Sequence, residues 1–193
     1  MDKKLLIASN NVNKIKEIAE ILKAHGIDRE LLTPKMLNDH SEVIEDGFTF
    51  KDNAYLKAKH YHDLYHIPTL SDDSGILIDY FLSLPGVHSA RFAEDYDYPM
   101  KNAMIMNMMK YVNNRNASYQ CDICYIDEDV RFYEGFIHGE IARSAKGEHG
   151  FGYDPIFYLP SMGMTLAEVK PEDKNTISHR YNALIRWVHD LEK

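Results

Sequence analysis

Two adjacent carboxylates, Asp72 and Asp73, lie between a short apolar run that ends at Leu70 and a second run that begins at Ile76. Neighbouring like charges repel, and at the end of a buried strand they are costly unless a cation or a hydrogen-bond donor compensates them. No Lys or Arg lies within several residues, so we expect the compensation to come from elsewhere in the fold or from a bound metal. Carboxylate oxygens suit a hard cation such as Mg²⁺. Alternatively, the segment is a surface turn whose side chains bond their own backbone.

The N-terminal segment has a layout of strand, turn and helix that is typical of phosphate sites. Residues 4–8 are an apolar run that predicts a buried strand, residues 9–13 are rich in helix-capping side chains, and residues 15–22 predict an amphipathic helix. Backbone N–H groups at a helix N-terminus favour anions, and Lys14 in the first turn adds a positive charge. The Walker spacing is absent, so a solvated lysine remains an alternative.

A second helix is predicted from about Thr49, which can act as its N-cap, with Asp52 completing a capping box. Asn53 and Lys57 are four positions apart and share one helix face, so both can point toward the same pocket. Alternatively, Lys57 is an edge residue that covers apolar surface and Asn53 is solvated. The apolar pair at residues 43–44 indicates a short strand before this helix.

The middle of the chain predicts a hairpin. Residues 119–126 and 130–142 alternate as two strands around the turn at 127–129, and long antiparallel strands beside a strand–helix start indicate a mixed sheet. Cys121 and Cys124 have CxxC spacing, but positions three apart in a strand point to opposite faces. We therefore expect neither a disulfide nor a zinc site there.

A glycine-rich loop at residues 147–155 carries two aromatic side chains. Glycine lets the backbone approach a flat ligand closely, and Phe151 can stack on it, although a purely structural glycine turn is the alternative. Farther on, His179 and Arg180 fall in the first turn of a predicted helix, where positive charge opposes the helix dipole. A bound anion would relieve this conflict, and Lys174 can join the same cluster.

Composition limits the possible functions. The 193 residues are 45% hydrophobic, enough for a substantial core, and the formal net charge of −8 argues against general nucleic-acid binding. Residues 5–8 are the only apolar run near residue 1 and no run reaches membrane-spanning length, so we expect no signal peptide, a cytoplasmic location and no membrane partner.

Six ordered blocks together make the chain similar to the inosine-triphosphate pyrophosphatase family, hydrolases of noncanonical purine nucleoside triphosphates. The blocks are Ser9-Asn10-x3-Lys14, Glu45-x-Gly47-x-Thr49-Phe50-x2-Asn53-Ala54-x2-Lys57-Ala58, Asp72-Asp73-Ser74-Gly75, Pro85-Gly86-Val87-x-Ser89-Ala90-Arg91, Gly150-Phe151-Gly152-Tyr153-Asp154-Pro155-x-Phe157 and Lys174-Asn175-x-Ile177-Ser178-His179-Arg180. The chain departs from the family at residues 81–84, where small residues and glycines are common, and at His88, where an aromatic is common.

The resemblance implies a fold and a general function. It implies a single pyrophosphatase domain over residues 1–193, with a mixed α/β fold, a long central β-sheet, flanking helices, and two lobes with the site in the cleft between them. It also implies a homodimer that hydrolyses ITP, dITP and XTP to the monophosphate and pyrophosphate and so cleanses the nucleotide pool.

The resemblance further implies roles for individual residues. Glu45 and Asp73 would bind Mg²⁺, and Asp73 would also be the base that activates water for attack on the α-phosphorus. The triphosphate would contact residues 9–14, Lys57 and Ser74. The base and sugar would contact residues 151–154, Lys174, His179 and Arg180. The complete set of predicted substrate-binding residues is Ser9, Asn10, Asn11, Val12, Asn13, Lys14, Asn53, Lys57, Ser74, Arg91, Phe151, Gly152, Tyr153, Asp154, Lys174, His179 and Arg180.

Two other functions are less compatible with the sequence. An enzyme that uses aspartate as a covalent nucleophile on a phosphomonoester needs an Asp-x-Asp-x-Thr type of spacing, which is absent. A nucleotide-binding regulator would keep the glycine-rich loop and lose the metal-binding carboxylates, whereas this chain has both features.

Overall fold

A computed structural model describes residues 3–191, and its architecture is mixed α/β with a central sheet and flanking helices. This confirms the predicted fold class. The strands are β1 (Lys4–Ile7), β2 (Glu30–Leu32), β3 (Thr69–Ile78), β4 (Leu84–Pro85), β5 (Asn116–Ile126), β6 (Val130–Ile141), β7 (Phe157–Leu159) and β8 (Met164–Thr165). The α-helices are α1 (Val12–Ala24), α2 (Phe50–Tyr65), α3 (Tyr98–Met108), α4 (Pro171–Lys174) and α5 (His179–Leu191), and short 3₁₀ helices span Pro34–Leu37, Asp79–Phe81, Gly86–His88 and Asp154–Ile156.

The sheet has eight strands in the order β2-β1-β3-β5-β6-β7-β8, with β4 paired to β3. Strand β1 pairs in parallel with β2 and β3, whereas β3–β4, β6–β7 and β7–β8 are antiparallel. The predicted hairpin is present, because β5 and β6 are adjacent and are joined by residues 127–129. The sheet is therefore mixed, as the sequence indicated.

The strand predicted at residues 43–44 is wrong. Val43 packs against the small core that includes Tyr61 of α2, but Ile44 is 78% exposed, and residues 39–47 have no regular secondary structure. Two apolar residues are too few to establish a strand when only one of them is covered. Strand β2 was not predicted, since its three residues are also too short to show a period.

The chain divides into two compact units. Unit 1 comprises the described parts of Met1–Asp73, Cys121–Gly135 and His179–Lys193, and unit 2 comprises Ser74–Gln120 and Phe136–Ser178.

In unit 1, β5 separates two apolar layers. Cys121 belongs to the core formed with α1 and α5, where Trp187 is completely buried, and Cys124 packs with Ala54 and Ala58 of α2. Both thiols are free and buried, which confirms that the CxxC spacing spans opposite faces of a strand. Helices α1, α2 and α5 are thus fixed on the two sides of β5, the neighbour of β3 in the sheet.

In unit 2, helix α3 and the segment around β7 cover a second apolar core. Ile105 of α3, Ile76 of β3 and Phe157 of β7 are all completely or almost completely buried in it. Burying a large apolar side chain contributes about 1.5–3 kcal/mol, so this core holds the glycine-rich loop on a rigid base. None of the helices in residues 3–191 has the length and apolar character needed to cross a membrane.

Candidate active site

Alternation along β3 places Asp72 and Asp73 on opposite faces of the strand. Asp72 faces the layer of α1 and α5, where its carboxylate meets Arg180, and Asp73 faces α2, where its carboxylate meets Asn53. Both are buried within a regular strand, which excludes a surface turn. The two carboxylates therefore have different contact partners, although the charges of Lys14 and Lys57 each act on both of them.

Asp73 shares its face with Asn53 and Lys57 of α2. Nδ2 of Asn53 donates to Oδ2 of Asp73 at 3.0 Å, and Nζ of Lys57 lies 3.5 Å from Oδ1 of the same carboxylate. Nζ of Lys57 also donates to Oε2 of Glu45 at 2.6 Å. The shared face predicted for Asn53 and Lys57 is confirmed, and one ammonium group lies between two carboxylates.

The surroundings shift the pKa values of both Asp73 and Lys57. Burial raises the pKa of Asp73 above its ordinary value, although the charge of Lys57 opposes this change. Burial would lower the pKa of Lys57, but the carboxylates of Asp73 and Glu45 outweigh it, and the pKa is raised. Lys57 is therefore a permanent cation near neutral pH, while Asp73 accepts a proton more readily than an ordinary aspartate.

The start of α2 fixes the backbone next to Glu45. Thr49 accepts a hydrogen bond from the N–H of Asp52, and Asp52 accepts one from the N–H of Thr49, so the predicted capping box is confirmed. The N–H of Gly47 donates to Oδ1 of Asn53 at 2.8 Å. A Cβ added at Gly47 would lie 2.5 Å from Cβ of Asp52, so only glycine permits this close approach.

Asp72 forms a second group of ion pairs. Its Oδ2 lies 3.1 Å from Nζ of Lys14 and 2.9 Å from Nη2 of Arg180, and Nη1 of Arg180 donates to Glu17. Burial would raise the pKa of Asp72, but Lys14 and Arg180 hold that pKa well below its usual range. Sequence analysis did not identify Glu17; its position three residues after Lys14 in α1 was the available signal.

The first turn of α5 has ion-pair partners within the protein. The positive charge of Arg180 pairs with Asp72 and Glu17, and Lys174 pairs with Asp154 in unit 2. The anion expected beside these cations stays a prediction.

The N-terminus of α1 is accessible, as a phosphate site requires. Oδ1 of Asn11 accepts from the N–H groups of Asn13 and Lys14 at 3.0 and 3.2 Å, and Oγ of Ser9 accepts from the N–H of Asn11 at 3.2 Å. Residues 10–13 are exposed, and Lys14 is partly exposed. These residues therefore present a capped helix N-terminus beside the ion pairs of Asp72.

In unit 2, a buried ion pair shapes the glycine-rich loop. Oδ2 of Asp154 accepts from Nζ of Lys174 at 2.7 Å and from the N–H of Phe151 at 2.8 Å. The same ammonium lies 5.0 Å from the centroid of the Phe151 ring. A Cβ added at Gly150, whose φ is +73°, would lie 2.1 Å from Oδ2 of Asp154. The loop thus places a partly exposed aromatic ring next to a fixed charge pair.

Tyr153 has a supporting position in this loop. Its side chain is buried in the core of unit 2, and its hydroxyl donates to the carbonyl of Ser89 at 2.6 Å. Oγ of Ser89 accepts from the N–H of Ile76 at 2.9 Å and so ties the loop to β3. A contact between Tyr153 and a ligand would therefore involve its backbone. Ser89 lies in one of the six sequence blocks, but the sequence did not indicate that it supports this loop.

The remaining predicted residues have diverse surroundings. Ser74 follows Asp73 in β3 and is partly buried, Arg91 is exposed, and Gly152 is partly exposed in the loop. His179 is buried at the start of α5. Their roles in binding stay predictions.

The carboxylates of Glu45 and Asp73 fit a hard metal ion by their chemistry. Within residues 3–191, no three His, Cys, Asp or Glu side chains are grouped closely enough to hold a metal ion by themselves. Mg²⁺, however, is often bound by one or two carboxylates together with water and substrate phosphates. The cluster of Glu45, Lys57 and Asp73 has two carboxylates for one ammonium, a composition that suits a site for a divalent cation.

Comparisons with known proteins agree with this geometry. The model of the Ham1 family matches residues 5–189, which includes parts of both units. The chain is 40% identical over 201 residues to a dITP/XTP pyrophosphatase of Aquifex aeolicus (strain VF5), covering 98% of this chain and 96% of the relative. It is 42% identical over 195 residues to a dITP/XTP pyrophosphatase of Desulforamulus reducens, with coverages of 98% and 96%.

Solved structures show the same similarity. A HAM1 protein from Coxiella burnetii has a TM-score of 0.90 at 34% identity, covering 100% of this chain and 99% of that chain. The Ham1 protein of Staphylococcus aureus has a TM-score of 0.88 at 34% identity, with 98% of each chain covered.

Proposed function

This chain belongs to the Ham1 family, and we propose that it is a nucleoside-triphosphate pyrophosphatase that hydrolyses ITP, dITP and XTP. The products are the nucleoside monophosphate and pyrophosphate, so the reaction removes noncanonical purines from the nucleotide pool of the cytoplasm. The names of its relatives support this substrate class. The observation that carries the proposal is the Glu45–Lys57–Asp73 cluster, which combines a buried carboxylate of raised pKa with a fixed cation.

Asp73 is the general base of the proposed reaction. Its carboxylate takes a proton from water as the water oxygen attacks the α-phosphorus, and the bond from that phosphorus to the bridging oxygen breaks as pyrophosphate leaves. Asn53 and Lys57 hold the carboxylate in place through the contacts at 3.0 and 3.5 Å. A base of raised pKa has more driving force to take up the proton at neutral pH.

The phosphates are held by positive charge. Lys57 neutralises part of their charge, and the exposed N-terminus of α1 contributes the positive end of its helix dipole and the ammonium of Lys14. Glu45 and Asp73 would hold Mg²⁺. When bound, the ion would stabilise negative charge on the phosphate oxygens.

The purine is recognised in unit 2 by the base-binding loop, which we define as residues 150–154. Phe151 stacks on the base, and N–H groups of the loop donate to the 6-keto oxygen. Adenine presents a donor at that position, so donor would face donor. One unpaired buried polar group costs about 1–3 kcal/mol. Two such mismatches correspond to a preference for ITP over ATP, in kcat/KM, on the order of 10²-fold.

A panel of nucleotides tests the function. Pyrophosphate release from ITP, XTP, GTP and ATP is measured with Mg²⁺ and with a chelator in its place. We expect hydrolysis that depends on Mg²⁺, strong discrimination against ATP and weaker discrimination against GTP, which shares the 6-keto group. Release of orthophosphate instead of pyrophosphate would contradict the proposed bond cleavage, and equal kcat/KM for ITP and ATP would contradict the role of the loop.

The protein is further proposed to be a homodimer, as the resemblance implies. Unit 2 has a cavity of about 420 Å³ flanked by exposed apolar side chains, a surface suited to a second copy of the chain. These side chains are Tyr80, Leu82, Leu84 and Met108. Light scattering should give the mass of a dimer for the natural protein and of a monomer for Leu82→Glu. A monomeric mass of the natural protein across a wide concentration range would remove this proposal.

A further inference from the structure

Helix α3 holds the base-binding loop through one buried amide. Asn102 is only 3% exposed, and its Nδ2 donates to the carbonyl of Gly152 at 3.1 Å. The carbonyl oxygen is an acceptor, so the group facing it must be the NH₂ end of the amide. Gly152 has a φ of +69° and lies between Phe151 and Tyr153. The hydrogen bond therefore fixes the orientation of a peptide next to the ring proposed to stack on the purine.

Tyr98 supports the same part of the loop from the first turn of α3. Its ring packs edge-on against Tyr153 with centroids 5.3 Å apart, and a Cβ added at Gly152 would lie 3.6 Å from it. Lys101 of the same helix donates to the carbonyl of Ala90 at 3.0 Å, which anchors this end of the helix. The start of α3 is thus held in place, and the hydrogen bond from Asn102 connects this fixed helix to Gly152.

The amide of Asn102 uses only part of its hydrogen-bonding capacity, which is unfavourable for a side chain that serves only stability. Among the described residues, its Oδ1 has no hydrogen-bond partner although the atom is buried. A buried acceptor without a partner is destabilising, and an apolar side chain of similar size would avoid that cost. The loop that Asn102 contacts is at the surface, since Gly152 and Phe151 are both partly exposed. The contribution of Asn102 therefore lies in orienting the loop more than in stabilising the fold.

We propose that Asn102 is a positioning residue for purine recognition, which sets the peptide at Gly152 so that the base-binding loop is preorganised for a 6-keto purine. This inference rests on the proposed function. A residue that acts in this way affects the binding of the base and leaves the chemistry at Asp73 intact.

The test replaces the amide by an apolar side chain of similar size. Asn102→Leu is compared with Asn107→Leu, the same substitution at an exposed position of the same helix. We expect Asn102→Leu to raise the KM for ITP about tenfold, to leave kcat within about twofold and to narrow the preference for ITP over ATP, because the loop is no longer held in one orientation. Asn107→Leu should match the natural protein in all three quantities.

Two further measurements separate positioning from folding and from activity. The thermal midpoint of Asn102→Leu should equal that of the natural protein or exceed it, since the unpaired Oδ1 is removed. Calorimetric binding of inosine monophosphate, which needs no turnover, should weaken about tenfold in Asn102→Leu and stay unchanged in Asn107→Leu.

The inference is overturned if Asn102→Leu lowers the thermal midpoint with KM and the affinity for inosine monophosphate unchanged, or if only kcat falls. Failure of the proposed function would be visible separately, as absence of pyrophosphate release by the natural protein. The calorimetric comparison would still test Asn102 in that case, and equal affinities of the two variants would overturn its role.

Discussion

The two units differ in the number of carboxylates that surround a buried lysine. In unit 2, Lys174 pairs with Asp154 at 2.7 Å, and both side chains are almost fully buried, so this pair has one charge of each sign. In unit 1, Lys57 lies between Glu45 and Asp73, and the side chain of Glu45 is 34% exposed. This cluster has two carboxylates for one ammonium and is partly open to solvent.

Under the proposed function, this difference would separate binding of the base from the chemistry. The buried pair of Lys174 and Asp154 would fix the base-binding loop. The cluster in unit 1 would hold a cation and has a carboxylate whose pKa is raised by burial. Substitutions in unit 1 should therefore change kcat, and substitutions in unit 2 should change KM and the choice of base.

The largest effect should follow from removing the charge of Asp73. Asp73→Asn should lower kcat by at least ~10²–10⁴-fold, the range for general-base assistance alone, with the protein still folded. Asp79→Asn, an exposed site beyond the end of β3, is the matched control and should keep full activity. Near-normal kcat in folded Asp73→Asn would contradict the assignment of the base.

The same variant tests the pKa of Asp73 through stability. Because burial raises the folded-state pKa, the contribution of this group to stability is complete below its unfolded-state pKa and is lost as the pH rises through the folded-state value. At neutral pH the ionised carboxylate therefore costs stability. Asp73→Asn should have a free energy of unfolding at pH 7 that is equal to or above that of the natural protein.

Replacing Asp72, unlike replacing Asp73, should lower the free energy of unfolding at neutral pH. Asp72→Asn leaves Lys14 and Arg180 without their shared carboxylate in a buried site, and such a loss typically costs about 3–5 kcal/mol. Urea unfolding followed by the fluorescence of Trp187, the only tryptophan, measures it. A loss below about 1 kcal/mol would show that the ion pairs contribute little.

The pH dependence of stability distinguishes Asp72 from its neighbour. Lys14 and Arg180 outweigh burial and lower the folded-state pKa of Asp72, so its contribution is complete above an unfolded-state pKa of about 3.9 and is lost as the pH falls through the lower folded-state value. Stability curves of the natural protein and of Asp72→Asn should therefore converge on acidification below about pH 4.

Features that depend on spacing within one helix or strand could be predicted from the sequence. Local signals predicted the capped start of α2 at Thr49, the shared face of Asn53 and Lys57, and the opposite faces of the two cysteines. Each of these depends on spacing within one helix or strand. The resemblance supplied the candidate residues, and their roles remain predictions.

Other features depend on contacts between distant segments. Arg180 reaches Asp72 across 108 positions, and Asn102 reaches Gly152 across 50, so no periodicity within an element indicates either contact. Strands β4 and β8 have two residues each, too few for a pattern. The sequence could therefore suggest that Asp72 needs compensation but could not identify its partners.

Substitution of Phe151 in unit 2 is expected to weaken binding of the purine base. Phe151→Leu should raise the KM for ITP by about tenfold or more and leave kcat nearly unchanged, because stacking of a base on an aromatic ring is worth about 1–3 kcal/mol. Phe132→Leu makes the same change at a partly exposed phenylalanine in unit 1 and should have no effect on KM. A fall in kcat with KM unchanged would contradict the division of roles between the units.

The smallest effect concerns the Mg²⁺ ion proposed to bind Glu45 and Asp73 in unit 1. If Lys57 acts as an internal counterion between Glu45 and Asp73, Mg²⁺ must compete with it when no nucleotide is bound. Mg²⁺ at ten times its dissociation constant should stabilise the nucleotide-free protein by roughly 1.4 kcal/mol, since binding to the folded state alone stabilises by RT ln(1 + [L]/Kd).

The variant Lys57→Met tests whether the lysine competes with the ion. Because it removes the competing charge, thermal unfolding should show the same stabilisation at a lower Mg²⁺ concentration. Asp79→Asn should respond like the natural protein, and Asp73→Asn should respond weakly or not at all. Loss of the Mg²⁺ response in Lys57→Met would mean that the lysine supports the metal site instead of competing with the ion, and the charge imbalance would no longer explain the difference between the units.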